Sequence, residues 1–130
     1  MAEQKHVLVK ICGLCDVESA LAAVEAGADL LGFQFCESKR RITPDDAVKI
    51  LDELPEGPAL VGVFMDQSPR EVNAIAEFLG LDIVQLHGGE KPGFPSDHIV
   101  MKALKVRDGV VPDADGWPDP VLLDSWSLDA

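Results

Sequence analysis

The stretch GADLLGFQFCESKRRITPDDAVKILDELPEGPALVGVFMDQSP, from Gly27 to Pro69, decides the fold class. Gly27-Ala28-Asp29 ends one helical segment, since glycine suits the left-handed residue that follows a helix. The apolar run Leu30 to Phe35 comes next, then the basic loop ESKRR. Thr43-Pro44-Asp45-Asp46 supplies a capping threonine, a proline at the first helical position and acids in the first turn. A helix is therefore predicted from Pro44 to Leu54. A second apolar run, Ala59 to Met65, leads to Ser68-Pro69-Arg70-Glu71, which repeats the helix start and adds a capping box. Apolar runs without strict alternation suit strands covered on both faces. Strand, helix, strand in series gives right-handed crossovers and a parallel sheet, so the class is α/β.

The pattern extends in both directions. Upstream lie a run from Val7 to Cys12 and a helix from Asp16 to Ala26, with Ala20, Leu21, Val24 and Ala28 at helical spacing. Downstream lies a helix from Pro69 to Leu79, with Val72, Ile75, Ala76 and Leu79 as its buried stripe. Further runs are Asp82 to Leu86, Ile99 to Leu104 and Val121 to Leu123. Gly80-Leu81-Asp82 echoes Gly27-Ala28-Asp29 two strand-plus-helix units later, a weak internal repeat. The connection GGEKPGFPSDH is too rich in glycine and proline for a full helix, and RDGVVPDADGWPDP lacks helical periodicity. An open doubly wound sheet and a (β/α) barrel both fit this alternation.

Composition narrows the function. The 130 residues carry a formal net charge of −12, which disfavours nucleic acid and anionic membrane as partners. An apolar content of 47% argues for a packed core rather than disorder. No apolar run reaches the roughly 18 residues of a membrane span. The polar start MAEQKH and three cysteines lead us to expect a cytoplasmic protein without a disulfide framework.

In parallel α/β folds, ligands gather at the carboxyl ends of strands. Cys12 stands at such an end, close in sequence to Lys10; it suits a base or nucleophile, and equally a buried structural thiol. Cys12-Gly13-Leu14-Cys15 is also a C-x-x-C, the pattern of a dithiol redox site. Zinc held by Cys12, Cys15, Cys36 and His87 is a further reading. Asp124, at the end of an apolar strand, suits a general acid, or a loop acid with no such role. Lys39, Arg40 and Arg41 form the one basic cluster, fit for a phosphate or carboxylate, or simply solvated. Gln85 and His87 share one face of their strand.

Taken in order, VKICGL (9–14), GADLLGFQF (27–35), SKRRITPDDA (38–47), VGVFMDQSP (61–69), DIVQLHGGE (82–90), MKALKV (101–106) and LLDS (122–125) resemble the phosphoribosylanthranilate isomerase family of tryptophan biosynthesis. The resemblance implies a (β/α)8 TIM barrel, here one partial domain over residues 1–130 with about six of eight strands. It implies an Amadori rearrangement of N-(5′-phosphoribosyl)anthranilate, with neither cofactor nor metal. Carried over, Cys12 matches the general base that removes the C2′ proton. Asp124 matches the general acid at the furanose oxygen, and Arg40 matches the arginine that contacts the anthranilate carboxylate. Gln85 and His87 match polar, substrate-binding positions on the fourth strand.

The family's glycine-rich segment after the sixth strand, and its last two strands, have no counterpart here. Their loops bind phosphate in such barrels. The sequence therefore reads as a C-terminally shortened member, weakly active and prone to self-association through open sheet edges. A non-catalytic barrel remnant that acts through self-association or a partner is the alternative, and a dithiol redox protein is a third.

Overall fold

The computed structural model describes residues 7–125. Its elements are β1 Lys10–Ile11, α1 Val17–Glu25, β2 Leu30–Gln34, α2 Pro44–Leu51, β3 Ala59–Phe64, α3 Pro69–Leu79, β4 Ile83–Leu86, β5 Ile99–Val106 and β6 Leu122–Ser125. The strands form one parallel sheet in the order β1-β2-β3-β4-β5-β6. A doubly wound sheet reverses its order at a switch point. This sheet never does, so the right-handed crossovers through α1, α2 and α3 stack those helices on one face. That is the winding of a barrel, and it settles the alternative that alternation left open. No helix among the described residues is long and apolar enough to cross a membrane.

Register sorts the side chains. Leu31 and Phe33 of β2, Phe64 of β3, and Val84 and Leu86 of β4 pack against Ala20, Ala23, Ala47, Ile50, Val72, Ala76 and Leu79 of the helices. The intervening residues face the other way. Gly32 pairs with Val61, Gln34 with Val63, Val63 with Gln85, Gln85 with Met101, and Lys105 with Asp124. Polar side chains thus cluster toward the carboxyl ends of this inner face, and Val61, Ile83 and Ile99 lie below them.

Several boundaries move from their expected places. β1 is two residues long, because β2 begins at Leu30 and offers Val7 and Leu8 no ladder partner; both are exposed, at 79% and 65%. α2 ends at Leu51 and tightens into turns at Glu53 and Leu54, as the following Pro55 keeps Leu54 out of helical conformation. α1 buries Ala20 and Ala23 rather than Leu21, which is 40% exposed at the margin of the apolar face. The connections on either side of β5 are irregular, as expected. Phe94 and Trp117 from these connections pack against the core where helices would otherwise lie.

The repeated Gly-x-Asp has a physical purpose. Gly27 and Ala28 donate backbone N–H bonds to Val24 and Ala23; Gly80 and Leu81 do the same to Glu77 and Ala76. Both helices thus close through the same reciprocal pair, with the glycine left-handed (φ 90° and 67°). The aspartate then ties the emerging strand to the one before it. Asp29 accepts the Val9 N–H at 2.8 Å, and Asp82 accepts the Leu60 N–H at 2.8 Å.

A second set of bonds ties the loops at the carboxyl ends. Gln67 donates to the Phe35 carbonyl at 2.9 Å. Glu90 accepts the N–H groups of Asp66 and Gly88 at 2.7 and 2.8 Å, and Asp66 accepts that of Gly89 at 2.6 Å. Lys102 stands on the helix side of β5, not in the inner cluster. It donates to the Gly88 carbonyl at 2.6 Å, pairs with Glu90 at 3.2 Å and lies 5.2 Å from the Trp117 ring centre. Burial alone would raise the Glu90 carboxyl, but the Asp66 and Glu90 backbone amides and the Lys102 ammonium together hold it below its ordinary value.

Two outcomes are expected. Asp82→Ala should lower stability to urea by about 1 kcal/mol, as a charge-assisted bond at an exposed site is lost, and Asp82→Asn should recover most of it. Because the Glu90 carboxyl is lowered on folding, its contribution is full above its ordinary value of 4.5 and drains away as pH falls through the lowered one. Glu90→Gln should therefore cost stability at neutral pH and flatten the acid limb of the stability profile.

Candidate active site

Cys12 leaves β1 with its thiol over Gly32. A β-carbon on Gly32 would stand 2.8 Å from the Cys12 sulfur and 3.2 Å from its Cα, so only glycine lets the thiol settle against β2. Gln34, the next inner-face residue of β2, donates to that sulfur at 3.9 Å. The turn after Cys12 is anchored by the N–H groups of Gly13 and Leu14, both 3.1 Å from the Gly32 carbonyl. Arg40, from the loop after β2, lies across Gly13 and donates to the Cys12 carbonyl at 3.4 Å. Its guanidinium sits on the exposed rim rather than in the inner cluster.

Four of the five singled-out residues share the inner face. Gln85 is buried in β4, and His87 follows that strand, held by its N–H to the Phe64 carbonyl at 2.9 Å. Asp124 pairs in register with Lys105 at the far edge of the sheet. Lys10 joins them by donating to the side-chain oxygen of Gln85, whose amide nitrogen in turn meets Nε2 of His87. Burial pulls the Lys10 ammonium below its ordinary value, while the charges of Cys12 and Asp124 favour the protonated form. Burial also lowers His87; Asp124 and Glu90 oppose this, and Lys10 and Lys105 assist it. Cys12 and Asp124 come from opposite edges of the sheet, yet both act on one ammonium group.

The other cysteine readings fare differently. The Cys15 thiol is exposed and turns to the carbonyls of Gly13 and Arg40, at 3.5 and 3.4 Å. Cys12 turns instead to Gln34. Cys36 is buried, and burial raises its thiol. Cys12, Cys15, Cys36 and His87 do not converge on a metal position; no such group of three exists among the described residues. Sequence reading missed Gln34 and Lys105, and took Lys10 only as a cation near Cys12. Their signal was the period-2 alternation that paired Gln85 with His87, extended to the neighbouring strands.

Comparison with known proteins accords with this geometry. Residues 9–125 match the family model "N-(5'phosphoribosyl)anthranilate (PRA) isomerase". The isomerase of Pelobacter propionicus is 45% identical over 129 residues, covering 95% of this chain and 62% of that protein. The crystal structure of phosphoribosyl anthranilate isomerase from Thermus thermophilus superposes with a TM-score of 0.83 at 38% identity, covering 92% of this chain and 62% of that one. An isomerase in complex with reduced 1-(o-carboxyphenylamino)-1-deoxyribulose 5-phosphate superposes at 0.74 with 42% identity, covering 78% of this chain and 55% of that one. The chain thus spans roughly three-fifths of the length of the relatives it matches. With the match running from β1 to β6 over strands wound as in a barrel, this chain belongs to the N-(5'-phosphoribosyl)anthranilate isomerase family.

Proposed function

We propose that the inner face carries the acid and base of an aldose–ketose isomerisation of N-(5'-phosphoribosyl)anthranilate. The observation that supports it most is the placement of Cys12 and Asp124 on one surface, at opposite sheet edges, with Lys10 in electrostatic reach of both. Asp124 donates a proton to the furanose ring oxygen. The C1′–O bond breaks, and the anthranilate nitrogen lone pair forms the C1′ iminium. Cys12, as thiolate, then takes the C2′ proton, and the electrons of that C–H bond neutralise the iminium. The resulting enol–amine tautomerises to the 1-amino-1-deoxyketose. Atoms and electrons balance within the substrate, so acid and base act in sequence on one sugar. Arg40 on the rim suits the anthranilate carboxylate, and Gln85 and His87 line the floor beneath the sugar. Lys10, Lys105 and Arg40 bring three cations to this end of a chain of net charge −12, where a substrate with a carboxylate and a phosphate can meet them.

Loss of substrate fluorescence under the purified chain tests this. Turnover of the substrate is expected. It should fall by about 10²-fold or more in Cys12→Ala and in Asp124→Asn. A folded chain whose turnover survives both substitutions, or that neither turns over the substrate nor binds the reduced product analogue, refutes the assignment.

The second reading, association, is supported by one observation. β1 and β6 are the sheet's edges, and Val7, Leu8 and Leu123 beside them are 79%, 65% and 54% exposed. We propose that a second copy of the chain covers these edges. Light scattering should then give a mass that rises with concentration above that of one chain; a constant monomer mass would overturn it.

A further inference from the structure

Lys10 has no role in the proton transfers above, yet it begins a side-chain relay that crosses the inner face from β1 to His87. An ammonium group can only donate hydrogen bonds, whereas a glutamine amide offers one accepting oxygen and one donating nitrogen. Lys10 therefore takes the oxygen of Gln85, and the amide nitrogen is left to face Nε2 of His87. Gln85 is 1% exposed, so it has no water with which to satisfy a reversed amide. A reversed amide would also set its N–H groups against the ammonium, at the cost of an unmade buried bond. Nε2 of His87 must then accept, and the ring proton must sit on Nδ1.

We propose that Lys10 is a positioning residue that, through Gln85, fixes His87 as a neutral imidazole with its proton on Nδ1. The tautomer follows from β1 and β4 alone. Its use rests on the isomerase reading: His87 then offers substrate oxygens a hydrogen-bond donor and does not compete with Cys12 for the C2′ proton. The charged and titratable groups around His87 are Lys10 from β1, Lys105 from β5, Asp124 from β6 and Glu90 from the loop after β4. The two carboxylates favour imidazolium, and the two ammonium groups oppose it.

Long-range proton–nitrogen spectra of the nitrogen-15-labelled chain test this without substrate, with the His87 signals assigned by their loss in His87→Asn. Near neutral pH, His87 should show a protonated Nδ1 and a bare Nε2. Lys10→Met should release the constraint, moving His87 toward the Nε2–H form and raising its titration midpoint, because a neighbouring positive charge is gone. Gln85→Glu is the sharper case. A carboxylate on Lys10 has no N–H for His87, so Nε2 should become protonated. An Nε2–H or imidazolium signal in the unaltered chain overturns the inference. So does a protonated Nδ1 beside a bare Nε2 that survives both Lys10→Met and Gln85→Glu. If Lys10→Met fails to fold, Gln85→Glu and the unaltered chain decide. Absence of turnover would count against the isomerase reading and leave the tautomer result standing, so the two failures are distinguishable.

Discussion

Parallel register between neighbouring strands is the constraint on which the site depends. Side chains alternate across a sheet with a period of two, so a slip of one residue exchanges the faces completely. Slipping β4 by one would turn Gln85 and His87 into the helix layer and drive Val84 and Leu86 toward the site. The helix-side packing opposes such a slip, because Phe33, Phe64, Val84 and Leu86 are each fully buried against α1, α2 or α3. Apolar burial on one face thus holds polar chemistry on the other. Gly32 is where the two demands meet. It sits opposite Val61 on the inner face and leaves the room in which the Cys12 thiol settles.

Polar groups on a sheet face are costly unless they are satisfied. The inner cluster meets this requirement by bonding across strands. Lys10 reaches from β1 to β4, Gln85 reaches on to His87, and Gln34 reaches back from β2 to the Cys12 sulfur. No buried side-chain nitrogen or oxygen among the described residues lacks a partner. Because its members come from β1, β2 and β4 and the turns that follow β1 and β4, the cluster forms only when the strands are assembled. The loops above it are set separately, by Glu90, Asp66 and Lys102.

Much of this was legible in the sequence. Thr43 and Ser68 marked their helix starts because a capping hydroxyl followed by proline leaves few alternatives, and both cap as expected, at 3.1 and 3.2 Å. Strand order was not legible from periodicity, since alternation is the same in a barrel and in an open sheet; the family resemblance supplied it. Leu21 was misplaced because a helical stripe defines a face only to within about one residue. That Lys102 faces the helices was not legible either, because its face depends on register with Leu86, which no single strand reveals. Lys10 was visible as a residue but not as a link, since its partner lies 75 positions away.

The two ends of the sheet divide the labour differently, and the internal repeat records the division. At the amino end, the Gly-x-Asp unit recurs with the same helix closure and the same carboxylate-to-backbone bond, at 2.8 Å in both copies. That end makes contacts any strand-plus-helix unit can make, so the same solution serves twice. At the carboxyl end no such unit recurs. A thiol follows β1, an amide closes β2, an imidazole follows β4 and a carboxylate lies near the end of β6. A surface that gathers a thiol, an amide, an imidazole and a carboxylate in one place needs different groups from different strands, and repetition there would defeat it. Conformity at the amino end is what lets the carboxyl ends differ: with strand order and register secured below, residues above can be exchanged without rebuilding the sheet.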